Sequence, residues 1–289
     1  MNLHSEIRLL GDQALAASRR MVNLSSRRKN AILDAMAQEL DARRAAIQAA
    51  NAQDVAEACA AGLAAALVDR LTLTDARFCA MIQGIREVAA LPDPVGKRLA
   101  KRVRPNGIVI EKRRVPIGVV AIIFESRPNV TADAAVLCIK SSNAVILRGG
   151  KEAIRSNQAI AEALAEGGQK AGLPRHAVQL VATIDREAVR ELVQMDDRVD
   201  VVIPRGGESL IRAVVEQSRV PVCLSTGTRD CSTTARISDS PPRGMTTSTR
   251  SSICTRWRTA SRSVVAISCT ACKGSPAFCP PSASAAAMA

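Results

Sequence analysis

The chain has 289 residues, 47% of them hydrophobic and 23% charged, which is enough apolar side chain for a sizeable core in one large domain or two smaller ones. A formal net charge of +13 raises nucleic acid as a partner, but Phe78 and Phe124 are the only aromatic residues before residue 223, too few for base stacking. The charge is also uneven, since residues 223–289 hold seven Arg and one Lys against two Asp and no Glu, so the expectation is attraction to polyanions without specific nucleic-acid recognition.

The opening stretch, MNLHSEIRLLGDQALAASRR, mixes acids with apolar residues and lacks the apolar run of a secretory signal. The longest apolar run, near Val115–Phe124, is about half of the ~20 residues a membrane span needs and contains Pro116 and Gly118. A soluble, cytoplasmic protein without membrane partners is expected. Residues 3–20 and 26–60 carry helical spacing, with Ile32, Met36, Leu40 and Ile47 on one face. Thr74 is placed to cap a third helix, whose stripe is Phe78, Met81, Ile82, Ile85 and Val88 and which stops near Leu91-Pro92-Asp93-Pro94. These helices read as packing elements without chemistry. Pro105-Asn106-Gly107 is a turn before an alternating strand at 108–114.

From Val119 onward strands at 119–124, 144–147, 178–182, 199–203 and 220–222 alternate with helices at about 130–141, 152–171, 185–195 and 208–217. That alternation predicts an α/β fold with a mostly parallel sheet, right-handed crossovers and helices on both faces. Three turns stand out. Glu125-Ser126-Arg127-Pro128-Asn129 joins a proline of fixed φ to an amide that can face a ligand. Arg148-Gly149-Gly150-Lys151 and Arg205-Gly206-Gly207 each combine glycine with cations where a helix should begin, and backbone N–H groups there attract anions. The dinucleotide fingerprint G-x-G-x-x-G is absent.

Three strings, RPNVT at 127–131, NAVILRGGKE at 143–152 and IPRGG at 203–207, resemble in content and order the gamma-glutamyl phosphate reductase family of the aldehyde dehydrogenase superfamily. The resemblance runs over roughly residues 5–222. It implies a Rossmann-like parallel sheet of the aldehyde dehydrogenase type with N-terminal helices, the catalytic domain being missing. It implies the reduction of L-glutamate 5-phosphate to L-glutamate 5-semialdehyde and phosphate by NADPH, in proline biosynthesis. The partners it suggests are the small-molecule substrate, glutamate 5-kinase and further copies of the chain. The region around 108–114 would feed the cofactor sheet.

Carried over residue by residue, the resemblance makes Asn129 a donor to the oxyanion, whereas the residues alone read as a helix N-cap. Ser126 becomes a cofactor neighbour. Arg148, Gly149, Gly150, Lys151 and Glu152 fall at the adenosine ribose, where two cations favour a 2′-phosphate and hence NADPH over NADH; a plain basic turn is the competing reading. Arg205, Gly206 and Gly207 fall beside the pyrophosphate, against the reading of a mere tight turn. Cys59, Cys79 and Cys138 read as small buried hydrophobes, and His4 and His176 as surface residues. Cys269-Thr270-Ala271-Cys272 has metal-ligand spacing but no second pair to complete a site, so no metal is expected.

After Val222 the character changes: residues 223–289 contain 13 Ser, 10 Thr, 5 Pro and 6 Cys without a sustained period. The expected division is a nucleotide-binding domain at 1–222 and a disordered tail at 223–289, the product of a shifted reading frame. In the family a cysteine thiolate attacks the acyl phosphate, and none of the six tail cysteines has surroundings like that nucleophile's. The expectation is a chain that binds NADPH without turnover; the alternatives are an inactive nucleotide-binding fragment and another acyl reductase of the superfamily.

Overall fold

The computed structural model describes residues 2–224. The expected disorder of the tail, its reading frame and five of its six cysteines lie outside the described residues. The sixth, Cys223, is buried, and its N–H donates to the Val202 carbonyl at 2.9 Å, so the packed chain runs past the Val222 boundary.

Five helices precede the main sheet. Helix α1 (Leu3–Met21) opens at Asn2, whose side chain accepts the Ser5 N–H. Helix α2 (Ser26–Ala42) is capped by Ser25. The single helix predicted over 26–60 is in fact two, because Arg43 leaves helical geometry at φ −98°, ψ 12° and α3 (Arg44–Ala60) begins after it. No Gly or Pro marks that break. At the break the Arg43 guanidinium is held between Glu39 and Glu166, the latter from a helix far along the chain. A short α4 (Ala65–Leu71) was not predicted. Thr74 caps α5 (Asp75–Ala90) as expected, accepting the Arg77 N–H.

The strand predicted at 108–114 does not join the main sheet. β1 (Arg98–Val103) and β2 (Val109–Arg113) form a separate antiparallel hairpin around a turn with Gly107 at φ 80°, and every residue of both strands is exposed. Its alternation is that of a two-sided ribbon, which sequence period alone cannot tell from a sheet strand.

The main sheet contains β3 (Val119–Phe124), β4 (Ala144–Arg148), β5 (Val178–Leu180) and β6 (Val201–Arg205) in the order β5-β4-β3-β6, all parallel. Between them lie α6 (Asn129–Lys140), a 3₁₀ turn (Lys151–Ala153), α7 (Ile154–Lys170) and α8 (Glu187–Gln194), and α9 (Glu208–Gln217) follows β6. The predicted strand at 220–222 is a single parallel bridge from Val222 to Val202. All six residues of β3 are buried, because helices cover both faces of a parallel sheet. The steps β3→β4→β5 run one way across the sheet, and the chain then returns to place β6 on the far side of β3. With right-handed crossovers this makes the β3/β6 boundary the switch point, where open α/β sheets present the carboxyl ends of their strands to ligands.

Helix α1 lies on β3, β4 and β5 and against α8, while α2 and α3 pack on α7, so α1 joins a layer that covers the sheet and the other two lie on a covering helix. Phe78 and Phe124 are fully buried, which removes both rings from any base-stacking role. Cys138 is buried as expected, but Cys59 and Cys79 are exposed. Helical spacing identifies a buried stripe; it does not put every small residue on it. At the amino edge of the sheet two lysines are buried: Lys29 Nζ lies 2.5 Å from Asp93 and donates to Ser142 Oγ at 3.2 Å, while Lys140 Nζ donates to Asn30 Oδ1 and the Ala89 carbonyl at 2.7 Å each. Among the described residues no helix is long and apolar enough to cross a membrane.

Candidate functional site

The three turns singled out in the sequence converge. They leave the carboxyl ends of neighbouring strands, with Ile123 in register with Arg148 and Phe124 with Arg205. The glutamate-to-asparagine turn at 125–129 therefore sits between the two Arg-Gly-Gly turns.

Asn129 is the first residue of α6 and does not cap it; the capping position is Pro128, without a side-chain bond. The Asn129 amide instead donates to Asp133 Oδ2 at 3.2 Å, one helical turn on. Burial pushes the Asp133 carboxyl up to about 6, against the opposing pull of the Arg205 charge and of the Asn129 bond. Asp133 was missed in the sequence. Its signal was an acid in the otherwise apolar run VTADAAVLCI, four residues after Asn129.

In the β4 turn the two cations have different surroundings. Arg148 donates through Nη1 to the Gly149 carbonyl at 2.8 Å and through Nη2 to the Ile184 carbonyl at 3.2 Å, and burial lowers its pKa. Lys151 is exposed and makes no ion pair among the described residues. Glu152 lies over the turn: its Oε2 is 3.4 Å from Ser126 Oγ and would be 2.6 Å from a Cβ placed on Gly150. Beneath Gly149, buried Asn157 accepts the Thr131 hydroxyl at 2.9 Å, and a Cβ on Gly149 would come within 2.1 Å of its Nδ2, which has no acceptor.

The α7 amides behind this turn already have an acceptor within the protein. The 3₁₀ turn intervenes before α7, and the α7 N–H groups of Arg155 and Ser156 point at the carboxylate of Asp54 in α3, at 3.4 and 2.8 Å. The reason is local and tertiary together. Ala153 occupies the capping position and has no side-chain acceptor, and α3 lies close enough to supply one.

The β6 turn is arranged otherwise. Gly207 precedes α9 and its N–H donates to Glu125 Oε2 at 3.0 Å; Glu125, Gly206 and Gly207 are all exposed. A Cβ on Gly206 would lie 2.6 Å from the Glu125 carboxyl carbon. Each glycine turn of the site is thus covered by a carboxylate, Glu152 on one side and Glu125 on the other.

Of the described cysteines, Cys223 is buried beside β6, its N–H on the Val202 carbonyl, and the other three lie on helices. Cys138 lies in the last turns of α6 with its thiol pushed up to about 12 by burial, and Cys59 and Cys79 are on α3 and α5. Exposed His4 lies 2.6 Å from Glu191, and His176 is half-buried with its pKa lowered, chiefly by burial. No group of three or more metal-ligating side chains occurs among the described residues.

The aldehyde dehydrogenase family matches residues 4–233. The gamma-glutamyl phosphate reductase of Nitratidesulfovibrio vulgaris (strain DP4) is 51% identical over 222 residues, 77% of this chain and 53% of that protein. The crystal structure of the gamma-glutamyl phosphate reductase of Thermotoga maritima superposes with a TM-score of 0.74 at 39% identity, over 75% of this chain and 53% of its own. That of Saccharomyces cerevisiae gives 0.71 at 34% identity, over 78% and 56%. The chain spans about half the length of the relatives it matches.

Proposed function

We propose, from the premise that this chain belongs to the aldehyde dehydrogenase family, that residues 2–224 are the nucleotide-binding part of a gamma-glutamyl phosphate reductase and bind NADPH for the reduction of L-glutamate 5-phosphate to L-glutamate 5-semialdehyde. The observation that carries the reading is the pair of glycine turns at the ends of the two strands that flank β3, in a chain 51% identical to such a reductase over 222 residues. Backbone without Cβ at Gly150, Gly206 and Gly207 lets a phosphate or ribose approach, and the carboxylates now beside them are the ends of flexible side chains that can move aside. The residues fit the cofactor.

In this reading Lys151 meets the 2′-phosphate directly, while Arg148, tied to two carbonyls, holds the shape of the turn. Gly206 and Gly207 lie along the pyrophosphate, with Arg205 beside them. Ser126 and Glu152 face the nucleotide from between the turns. The Asn129 amide, at the start of α6, serves the developing oxyanion once it leaves Asp133. Bound NADPH would supply the hydride. Cys59, Cys79 and Cys138 lie on helices and Cys223 is buried against β6, so in this reading the attacking thiol is supplied from elsewhere.

The test is binding and turnover on the full chain. NADPH fluorescence should report binding, and NADPH should bind more tightly than NADH. Glutamate semialdehyde, phosphate and NADP⁺ should give no NADPH above background. A rate abolished by iodoacetamide would show that a working thiol is present after all, and failure to bind either nucleotide would end the reading.

A further inference from the structure

The cofactor turn at Lys151–Ala153 is the part of the candidate site that the N-terminal helices reach, and they reach it through one buried carboxylate. Asp54 of α3 is 2% exposed. Its Oδ2 accepts from the Ser156 N–H at 2.8 Å and from the Ser156 hydroxyl at 2.6 Å, and its Oδ1 lies 3.4 Å from the Arg155 N–H. These are the second and third amides of α7, the pair that an N-cap side chain ordinarily serves. Asn51, one turn earlier on α3, donates to the same Ser156 hydroxyl at 3.0 Å and to the Leu71 carbonyl at 2.9 Å. Arg155 turns outward onto Glu57 through two bonds of 2.7 Å. Below, Ala153 is fully buried against Ala58 and Leu71.

We infer that Asp54 is a positioning residue for cofactor specificity: by capping α7 from another helix it fixes the turn that carries Lys151, and so fixes the cation that meets the phosphate on the adenosine ribose. The inference rests on the NADPH-binding reading above. Its physical content is that a helix start with no cap of its own frays, and that Lys151 lies only three residues before Ile154, the first residue of α7. The carboxylate binds the amide and hydroxyl of Ser156 in the interior, where water cannot replace it. Shifting the turn would break those bonds, so the Lys151 backbone is held where α3 puts it. A helix layer that the sequence assigns to packing thereby takes part in discriminating one nucleotide from the other.

The experiment is a double-mutant cycle on the full chain, with NADPH and NADH affinities measured well below the unfolding transition. Lys151→Ala should weaken NADPH about tenfold. Asp54→Ala should weaken NADPH by a similar factor, NADH by less than about twofold, and NADPH hardly further in the Lys151→Ala background. Asp54→Asn keeps one acceptor oxygen and should recover part of the loss; both substitutions remove the charge, so the difference between them reports the cap itself. Should Asp54→Ala not fold, Ser156→Ala deletes the 2.6 Å hydroxyl bond and keeps the amide, and should give a smaller loss with the same dependence on Lys151. Additive losses, or equal losses for the two nucleotides, would make Asp54 a packing residue only and overturn the inference. If Lys151→Ala leaves NADPH binding unchanged while the wild type binds, the role of Lys151 and the inference fail together, whereas a wild type that binds neither nucleotide ends the cofactor reading itself.

Discussion

Two strand-to-helix turns in this chain are spelled almost alike, Leu147-Arg148-Gly149-Gly150 and Pro204-Arg205-Gly206-Gly207. Both leave parallel strands that flank β3. Behind the first, buried Asp54 closes the helix end and Asn157 packs directly under the glycine; behind the second, exposed Glu125 alone touches the leading amide. Identical turn chemistry thus yields one helix start already neutralised and one held by a side chain free to leave. An Arg-Gly-Gly turn specifies close approach of something to the backbone. What approaches is decided by whatever the fold stacks behind it.

The largest effect that would sharpen this contrast is steric. Gly149→Ala places a methyl 2.1 Å from the Asn157 amide and 3.1 Å from the Phe124 ring, both buried, and should lower the unfolding free energy by about 2–3 kcal/mol. Gly206→Ala meets only the movable Glu125 and Leu210 side-chain ends, and should cost less than about 1 kcal/mol. Urea denaturation with unchanged slope measures both. Equal costs would erase the distinction between the closed and the open turn.

A smaller effect concerns charge at the open turn. Glu125→Gln removes an anion from the α9 amide and should tighten NADPH binding by about two- to fivefold, the equivalent of ~0.3–1 kcal/mol at a helix N-terminus. Weaker binding in the variant would mean that Glu125 holds the nucleotide instead of competing with it.

The smallest expected effect is a pH dependence beside that turn. The Asp133 carboxyl is raised by burial to about 6 from an ordinary value near 3.8, so the folded chain takes up its proton more readily than the unfolded chain. The stability this contributes is present in full at pH below 3.8 and is lost as pH rises through about 6. Relative to Asp133→Asn, the wild type should therefore gain stability as pH falls from 7 to 4, in thermal melts at matched ionic strength. A gap that does not vary with pH would place the Asp133 carboxyl in water.

The helix cap at Thr74, the buried run Val119–Phe124 and the order of strands and helices after it were legible because each depends on residues within one or two turns of chain. The three site turns were legible for the same reason, since proline and glycine announce turns locally. Other features were not. The break at Arg43 carries no Gly or Pro to announce it, and the hairpin of β1 and β2 reads as a sheet strand until its lack of burial is seen. Asn129 looked like a cap or a donor to substrate, and its bond to Asp133 appears only once α6 is built.

The sequence by itself determined the fold class, the family, and which glycines and cations stand at the strand ends, because hydrophobic period and turn chemistry act over a few residues. Only the tertiary structure decided which of the two matching turns keeps its helix end available. That choice belongs to Asp54, 102 residues before the Ser156 amide it caps, and no local pattern can report a carboxylate that arrives by packing.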